Sequence, residues 1–200
     1  MNRPRKQESA EGLSFCRFYA IFVLVMNMEK NLPVRKPLRM GHYNYNTPGA
    51  YFLTFCTYNR KQSLSRIVGA IHESPETQLT PLGKIVDEVI RNIPEHLHIT
   101  IDHYVIMPNH VHILATITQE DGMWAIHESP LQKRSIISKT IGYVKANTSK
   151  KAKRQYGDTT LWQRGYYDHV VRNQEDYNAL AQYIQENPLR WELDNLYTQE

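Results

Sequence analysis

Pro108-Asn109-His110-Val111-His112-Ile113-Leu114 is the stretch on which the fold turns. Apolar residues recur at Val111, Ile113, Ala115 and Ile117. That period of two marks a β-strand, whose alternate side chains face opposite sides. The four apolar residues are expected in a core, with His110 and His112 together on the other face. Two imidazoles side by side on a strand supply half of a metal site. The same pair also reads as two polar residues on a wet sheet face, and His-x-His alone does not separate the alternatives.

The chain around this stretch has 200 residues, a length that suits one domain with a real core. The hydrophobic fraction of 41% is that of an ordinary globule. A net charge of +4 leans mildly towards polyanionic partners. Thirteen tyrosines, against 5 Phe and 3 Trp, suit base stacking and half-buried strands equally. Two cysteines, Cys16 and Cys56, match no zinc spacing and are too few for a disulfide framework, so a reducing cytoplasm is expected. The apolar run at residues 18–26 is too short to span a bilayer, and no small-x-small cleavage site follows it. Residues 1–27 therefore read as an extension outside the fold, with Met28 as an alternative translation start, and residues 28–200 as a single domain.

In chain order, residues 29–49 are a basic, turn-rich lead-in, and residues 50–57 are rich in aromatic and β-branched types, which predicts the first strand. A loop to about Gln78 follows. Thr80-Pro81 supplies an N-cap and a first-turn proline. Leu82, Ile85, Val86, Val89, Ile90 and Ile93 then form the stripe of an amphipathic helix, which is expected to end at Pro94. Residues 97–107 read as the second strand, turned by Pro108-Asn109 into the His-x-His strand. Residues 119–134 are another loop.

The hexapeptide Ala-Ile-His-Glu-Ser-Pro occurs twice, at 70–75 and 125–130. The copies sit in different contexts and read as a short insertion repeated in two loops. His72 and His127 come with them and are not expected to be ligands.

Residues 135–154 predict a second helix, with Ile137, Ile141, Val144 and Thr148 on one side and Lys139, Lys150 and Lys153 opposite. From residue 129 to 157 there are eight Lys or Arg and no Asp or Glu. Solvated helix faces usually mix signs, so this one is read as a DNA-backbone contact. Residues 161–172 hold a turn and a fourth strand. Asn173 caps a third helix, with Glu175 and Asp176 in its first turn and Tyr177, Leu180, Ala181 and Ile184 as its stripe. Pro188 ends it, and residues 189–200 are a tail anchored by Trp191. The order β-α-β-β-α-β-α predicts an α+β fold, a ferredoxin-like antiparallel sheet with helices on one face.

On the third helix Tyr183 and Asn187 are four apart and share a face. Each has an ordinary structural reading, Tyr183 as an extension of the core and Asn187 as a C-cap. Taken together, however, Tyr104-Val-Ile-Met-Pro-Asn-His-Val-His-Ile-Leu114, Leu161-Trp-Gln-Arg164, Tyr166-Tyr-Asp-His-Val-Val-Arg172 and Tyr183-Ile-Gln-Glu-Asn-Pro188 with Trp191 resemble the REP-associated tyrosine transposases. These belong to the single-tyrosine, His-hydrophobic-His class. Val34-Arg-Lys and Gly49-Ala-Tyr-Phe-Leu-Thr54 fit as well, so the resemblance runs over about residues 28–191 with its motifs in order. Residues 1–27 and the two hexapeptide loops depart from it.

The resemblance implies that His110, His112 and Asn187 bind a divalent metal, Mg²⁺ or Mn²⁺, and that Tyr183 is the nucleophile. A metal on the scissile phosphate offsets charge and orients phosphorus for in-line displacement. Two imidazoles suit Mn²⁺ better than Mg²⁺. A phenol ordinarily titrates near ~10, and no general base is identifiable from the sequence. The product would be a 5′-phosphotyrosine and a free 3′-hydroxyl, a bond that permits rejoining without ATP. The implied partner is single-stranded DNA beside a hairpin-forming repeat, bound by a monomer or homodimer with no membrane role. Lys139, Lys150, Lys153, Arg164 and Arg172 are the candidates for DNA contact, and His169 is read as sheet support. Two other readings stay open: a protein that binds repeat hairpins without cutting, and a metal-dependent hydrolase that uses water.

Overall fold

The computed structural model describes residues 43–69, 76–118, 134–157 and 160–198. All of these fall in the second of the chain's two units, Met1–Lys36 and Pro37–Glu200. Residues 1–27, the lead-in up to residue 42, both hexapeptide copies, His72 and His127 lie outside the described residues.

The elements are β1 (Gly49–Cys56), β2 (Ser65–Val68), β3 (Glu76–Leu79), α1 (Pro81–Arg91), α2 (Ile93–His96), β4 (Thr100–Ile106), β5 (His110–Ile117), α3 (Ile136–Tyr156), β6 (Tyr167–Val170) and α4 (Gln174–Glu186). Single 3-10 segments follow β1 at Tyr58–Arg60 and α4 at Asn187–Leu193. Four strands form one sheet in the order β4-β5-β1-β6, with every neighbouring pair antiparallel. β1 and β4 are thus parallel, joined through α1 and separated by β5. β5 and β6 repeat the arrangement through α3, with β1 between them. Two interleaved split βαβ units of this kind make the ferredoxin-like layout expected from the element order.

Alternation decides which face is the core. Tyr51, Leu53 and Phe55 of β1 meet Val111, Ile113, Ala115 and Ile117 of β5 on one face. Val86, Val89 and Ile90 of α1 and Ile137, Ile141 and Val144 of α3 cover them. The helices do not all lie on that face. α4 packs over the other one, where the Tyr183 ring stands 6.0 Å from Phe52 and the Tyr177 ring 6.3 Å from His103. The physical reason is that this second face is itself apolar at Phe52 and Leu114, both buried, and needs a cover.

Local chemistry sets the element ends. Thr80 Oγ1 accepts from Gly83 N at 3.0 Å and caps α1. Gly83 is needed for close approach, because a Cβ there would stand 1.9 Å from the Leu64 carbonyl oxygen. Met107 N donates to His110 O at 2.9 Å and closes the β4–β5 turn. Asn173 Oδ1 accepts from Asp176 N at 2.8 Å and caps α4.

Two boundaries differ from the sequence reading. Pro94 does not terminate a helix. α1 ends at Arg91, and Pro94 sits in the first turn of α2, where its missing N–H costs nothing. The segment read as a loop to Gln78 contains the β2–β3 hairpin. Its strands are four residues long with mixed side chains, too short for alternation to show. Among the described residues no helix is long and apolar enough to cross a membrane.

Candidate active site

β5 sends His110 and His112 away from the core, as its alternation requires, but not to a wet surface. Both are 0% exposed beneath α4 and the chain that follows it. Buried imidazoles need partners, and the network here fixes their orientation. Asn109 Nδ2 donates to Leu196 O at 2.7 Å, which turns Asn109 Oδ1 towards His110 Nδ1 at 2.8 Å. The amide oxygen accepts only, so His110 carries its proton on Nδ1 and keeps a lone pair on Nε2. His112 Nδ1 lies 2.7 Å from Thr54 Oγ1, directly across the β1–β5 register. A hydroxyl donates or accepts, so His112 can also present a lone pair at Nε2. The two Nε2 atoms are 3.0 Å apart, and Phe52 stacks on the His112 ring at 5.1 Å.

Burial lowers the His110 pKa to about 3, with the Arg60 guanidinium adding to the effect. His112 is also lowered well below the ordinary histidine value, by burial and then by His110. Both rings are therefore neutral near pH 7, the form that ligates metal.

α4 brings the other two expected residues to the same place. Tyr183 Oη is 3.5 Å from His112 Nε2, and its ring centroid 5.3 Å from that of His112. Asn187 is the C-cap of α4, as one reading of the sequence had it, and its Nδ2 also donates to Asp194 Oδ2 at 3.4 Å. It is 1% exposed, and its Oδ1 has no hydrogen-bond partner among the described residues. A buried amide oxygen without a donor calls for a ligand. Imidazole nitrogen lone pairs and an amide oxygen are donor types that suit a divalent cation. Ligands at about 2.1 Å around an octahedral ion stand about 3 Å from their neighbours, close to the spacing of the two Nε2 atoms.

Three contributors escaped the sequence reading. Asn109 was read as a turn residue and Thr54 as part of a strand, and neither was given a role although both stand in the motifs that carry the family resemblance. Asp194, in the segment read as a tail, reaches the centre of the site. Its Oδ2 lies 4.0 Å from His110 Nε2, accepts from Tyr183 Oη at 3.4 Å and from Asn187 Nδ2 at 3.4 Å. The donor atoms of His110, His112 and Asp194 all fall within 4.8 Å of one another. No motif or periodicity touches Asp194, and only its place after the buried Trp191 hinted at order there.

His169 Nε2 sits 3.0 Å from Asp176 Oδ2, which also accepts from Arg172 N at 3.2 Å. This ties β6 to the start of α4. The basic candidates are not gathered at the site. Lys139, Lys150 and Lys153 ride on α3, which covers the opposite face of the sheet, and Lys145 of that helix turns inward to donate to Gln163 O at 2.8 Å. Arg164 and Arg172 are exposed on either side of β6.

Residues 49–187 match the protein family described as "Transposase IS200 like". A Haemophilus influenzae protein of uncharacterised function is 36% identical over 175 residues, covering 82% of this chain and 93% of that protein. A second Haemophilus influenzae protein, provisionally named a REP-associated tyrosine transposase, is 24% identical over 108 residues, 46% of this chain and 54% of that protein. Among solved structures, a REP-associated tyrosine transposase bound to a REP hairpin is similar in fold. Its TM-score is 0.52 at 18% identity, over 78% of this chain and 74% of that one.

Proposed function

The chain belongs to the IS200-like transposase family, and from that premise we propose that it cuts and rejoins single-stranded DNA beside hairpin repeats through a covalent bond to Tyr183. The observation that supports this most is a convergence. Tyr183 Oη stands 3.5 Å from the neutral His112 ring, and it and the Asn187 amide, whose Oδ1 is unpartnered among the described residues, both donate to Asp194 Oδ2.

His110 Nε2, His112 Nε2 and Asn187 Oδ1 would hold Mg²⁺ or Mn²⁺. When bound, the ion offsets charge on the scissile phosphate and orients it for in-line displacement. Asn109 and Thr54 hold the two rings in ligating orientation, as outer partners of metal-bound histidines do. Phe52 and His112 pack against the Tyr183 ring and confine its hydroxyl to the site. Tyr183 oxygen attacks phosphorus, the bond to the 3′ oxygen breaks, and a 5′-phosphotyrosine and a 3′-hydroxyl result. Attack by a second 3′-hydroxyl reverses the step and frees the tyrosine, so the energy of the cut bond is conserved.

The solved relative of like fold is bound to a REP hairpin, which supports a hairpin substrate. Arg164, next to Gln163 that bonds Cys56 opposite His110, is the proposed DNA-backbone contact at the histidine end of the sheet, and Arg172, Lys139, Lys150 and Lys153 would meet DNA farther from the site. Work on genomic DNA implies the cytoplasm as the place of action.

The test mixes the protein with labelled single-stranded hairpin DNA and Mn²⁺ or Mg²⁺, alongside Tyr183→Phe. A metal-dependent, denaturation-resistant protein–DNA band that the substitution abolishes is the expected result. Cleavage without a band, unchanged by the substitution, would move the chemistry to hydrolysis by water. Binding without cleavage across a broad hairpin panel would leave a recognition protein.

A further inference from the structure

Asp194 lies seven residues beyond the last position that matches the family, yet it sits at the centre of the site. Its side chain is 4% exposed, and Oδ2 faces His110 Nε2, Tyr183 Oη and Asn187 Nδ2 at 4.0, 3.4 and 3.4 Å. The three residues expected to hold the cation are all neutral. Mg²⁺ and Mn²⁺ prefer hard, anionic oxygen, and Asp194 is the one carboxylate grouped with His110 and His112 among the described residues. A buried carboxylate is costly without a cation close by, and the basic group that faces Asp194 among the described residues is the His110 ring at 4.0 Å; a dication beside the carboxylate removes that cost.

We propose that Asp194 is a further ligand of the divalent cation, supplied by the C-terminal segment rather than by the sheet or α4. The proposal rests on the metal site described above and adds a consequence. Asp194 Oδ1 accepts from Leu196 N at 2.7 Å, Leu196 O accepts from Asn109 Nδ2 at 2.7 Å, and Asn109 Oδ1 accepts from His110 Nδ1 at 2.8 Å. A cation bridging His110 and Asp194 closes this chain of bonds into a ring. Metal occupancy and anchoring of the C-terminal segment are then one event. Thr198, whose backbone oxygen accepts from Gln62 and whose hydroxyl donates to Arg60 O at 3.3 Å, extends that anchor to the turn after β1.

The experiment titrates Mn²⁺ by calorimetry into the wild-type chain, Asp194→Asn and His110→Ala, and follows hydrogen exchange of the Leu196 amide with and without Mn²⁺. Asn is isosteric and keeps an acceptor for Leu196 N, so the fold is retained. The expected result is a loss of affinity of about tenfold or more in Asp194→Asn, with Mn²⁺ slowing Leu196 exchange in the wild type only. A smaller loss in Asp194→Asn, while His110→Ala abolishes binding, overturns the role of Asp194 and leaves the metal site standing. No Mn²⁺ binding by the wild type, or full binding by His110→Ala, overturns the metal site and this proposal with it. Asp194→Cys separates ligation from a remote charge effect. With Co²⁺ it should show thiolate-to-metal charge-transfer absorption beyond that of the wild-type chain, and its absence overturns direct ligation.

Discussion

Asn109 does two jobs that neither a turn nor a strand requires of it. Its amide fixes the proton on His110 Nδ1 and ties down Leu196. Asn109→Ala should leave both groups without a partner in a buried site, lowering stability by about 1–3 kcal/mol and Mn²⁺ affinity by roughly 10–100-fold. Urea denaturation and calorimetry measure the two. The histidines also carry a pH signature. On unfolding, each ring regains its ordinary affinity for a proton, near ~6.5, whereas folded His110 binds one only around pH 3 and His112 is lowered as well. The unfolded state thus holds more protons across that window, and stability rises with pH there. In metal-free protein, urea midpoints should fall as pH is lowered from 7.5 to 5.5, above the range where carboxylates titrate. A flat profile would mean that the rings are not buried neutral.

At the scale of elements, α1 shows how far local rules reach. Thr80, Pro81 and the apolar stripe specified its start and its buried face. Its end was misplaced because Pro94 suits a first helical turn as well as a stop, and only the packing of Ile93 into the core settles which. Gly83 tests the packing directly. Alanine at that position gains helix propensity, about 1 kcal/mol, but its Cβ would stand 1.9 Å from the Leu64 carbonyl. Gly83→Ala should therefore lose roughly 1–3 kcal/mol net in chemical denaturation, against the sign that propensity predicts. α4 reverses the lesson. Its stripe was legible, but the face it would cover was not, because an amphipathic pattern says that a helix packs and not on what. The β2–β3 hairpin was illegible for a simpler reason: four-residue strands carry too few alternations to register.

For the whole molecule, we propose that residues 28–200 are the working unit and residues 1–27 dispensable. A chain that begins at Met28 should match the full chain in urea midpoint and in yield of covalent DNA product. Loss of either would make the first residues part of the function. The sequence by itself determined the alternation of β5, the strand character of β1, the caps of α1 and α4 and the antiparallel α+β order, because each of these is a local pattern, and an ordered set of motifs singled out His110, His112, Tyr183 and Asn187 as candidates. Tertiary structure alone decided that the histidines are buried rather than wet, that α4 covers them, and that Thr54, Asn109 and Asp194 lie against them. Thr54 and His112 are 58 residues apart and Asn109 and Leu196 are 87 apart. Contacts of that span leave no periodic trace in the chain. They arise when the sheet and the C-terminal segment close over the same buried polar groups, which must find partners once water is excluded.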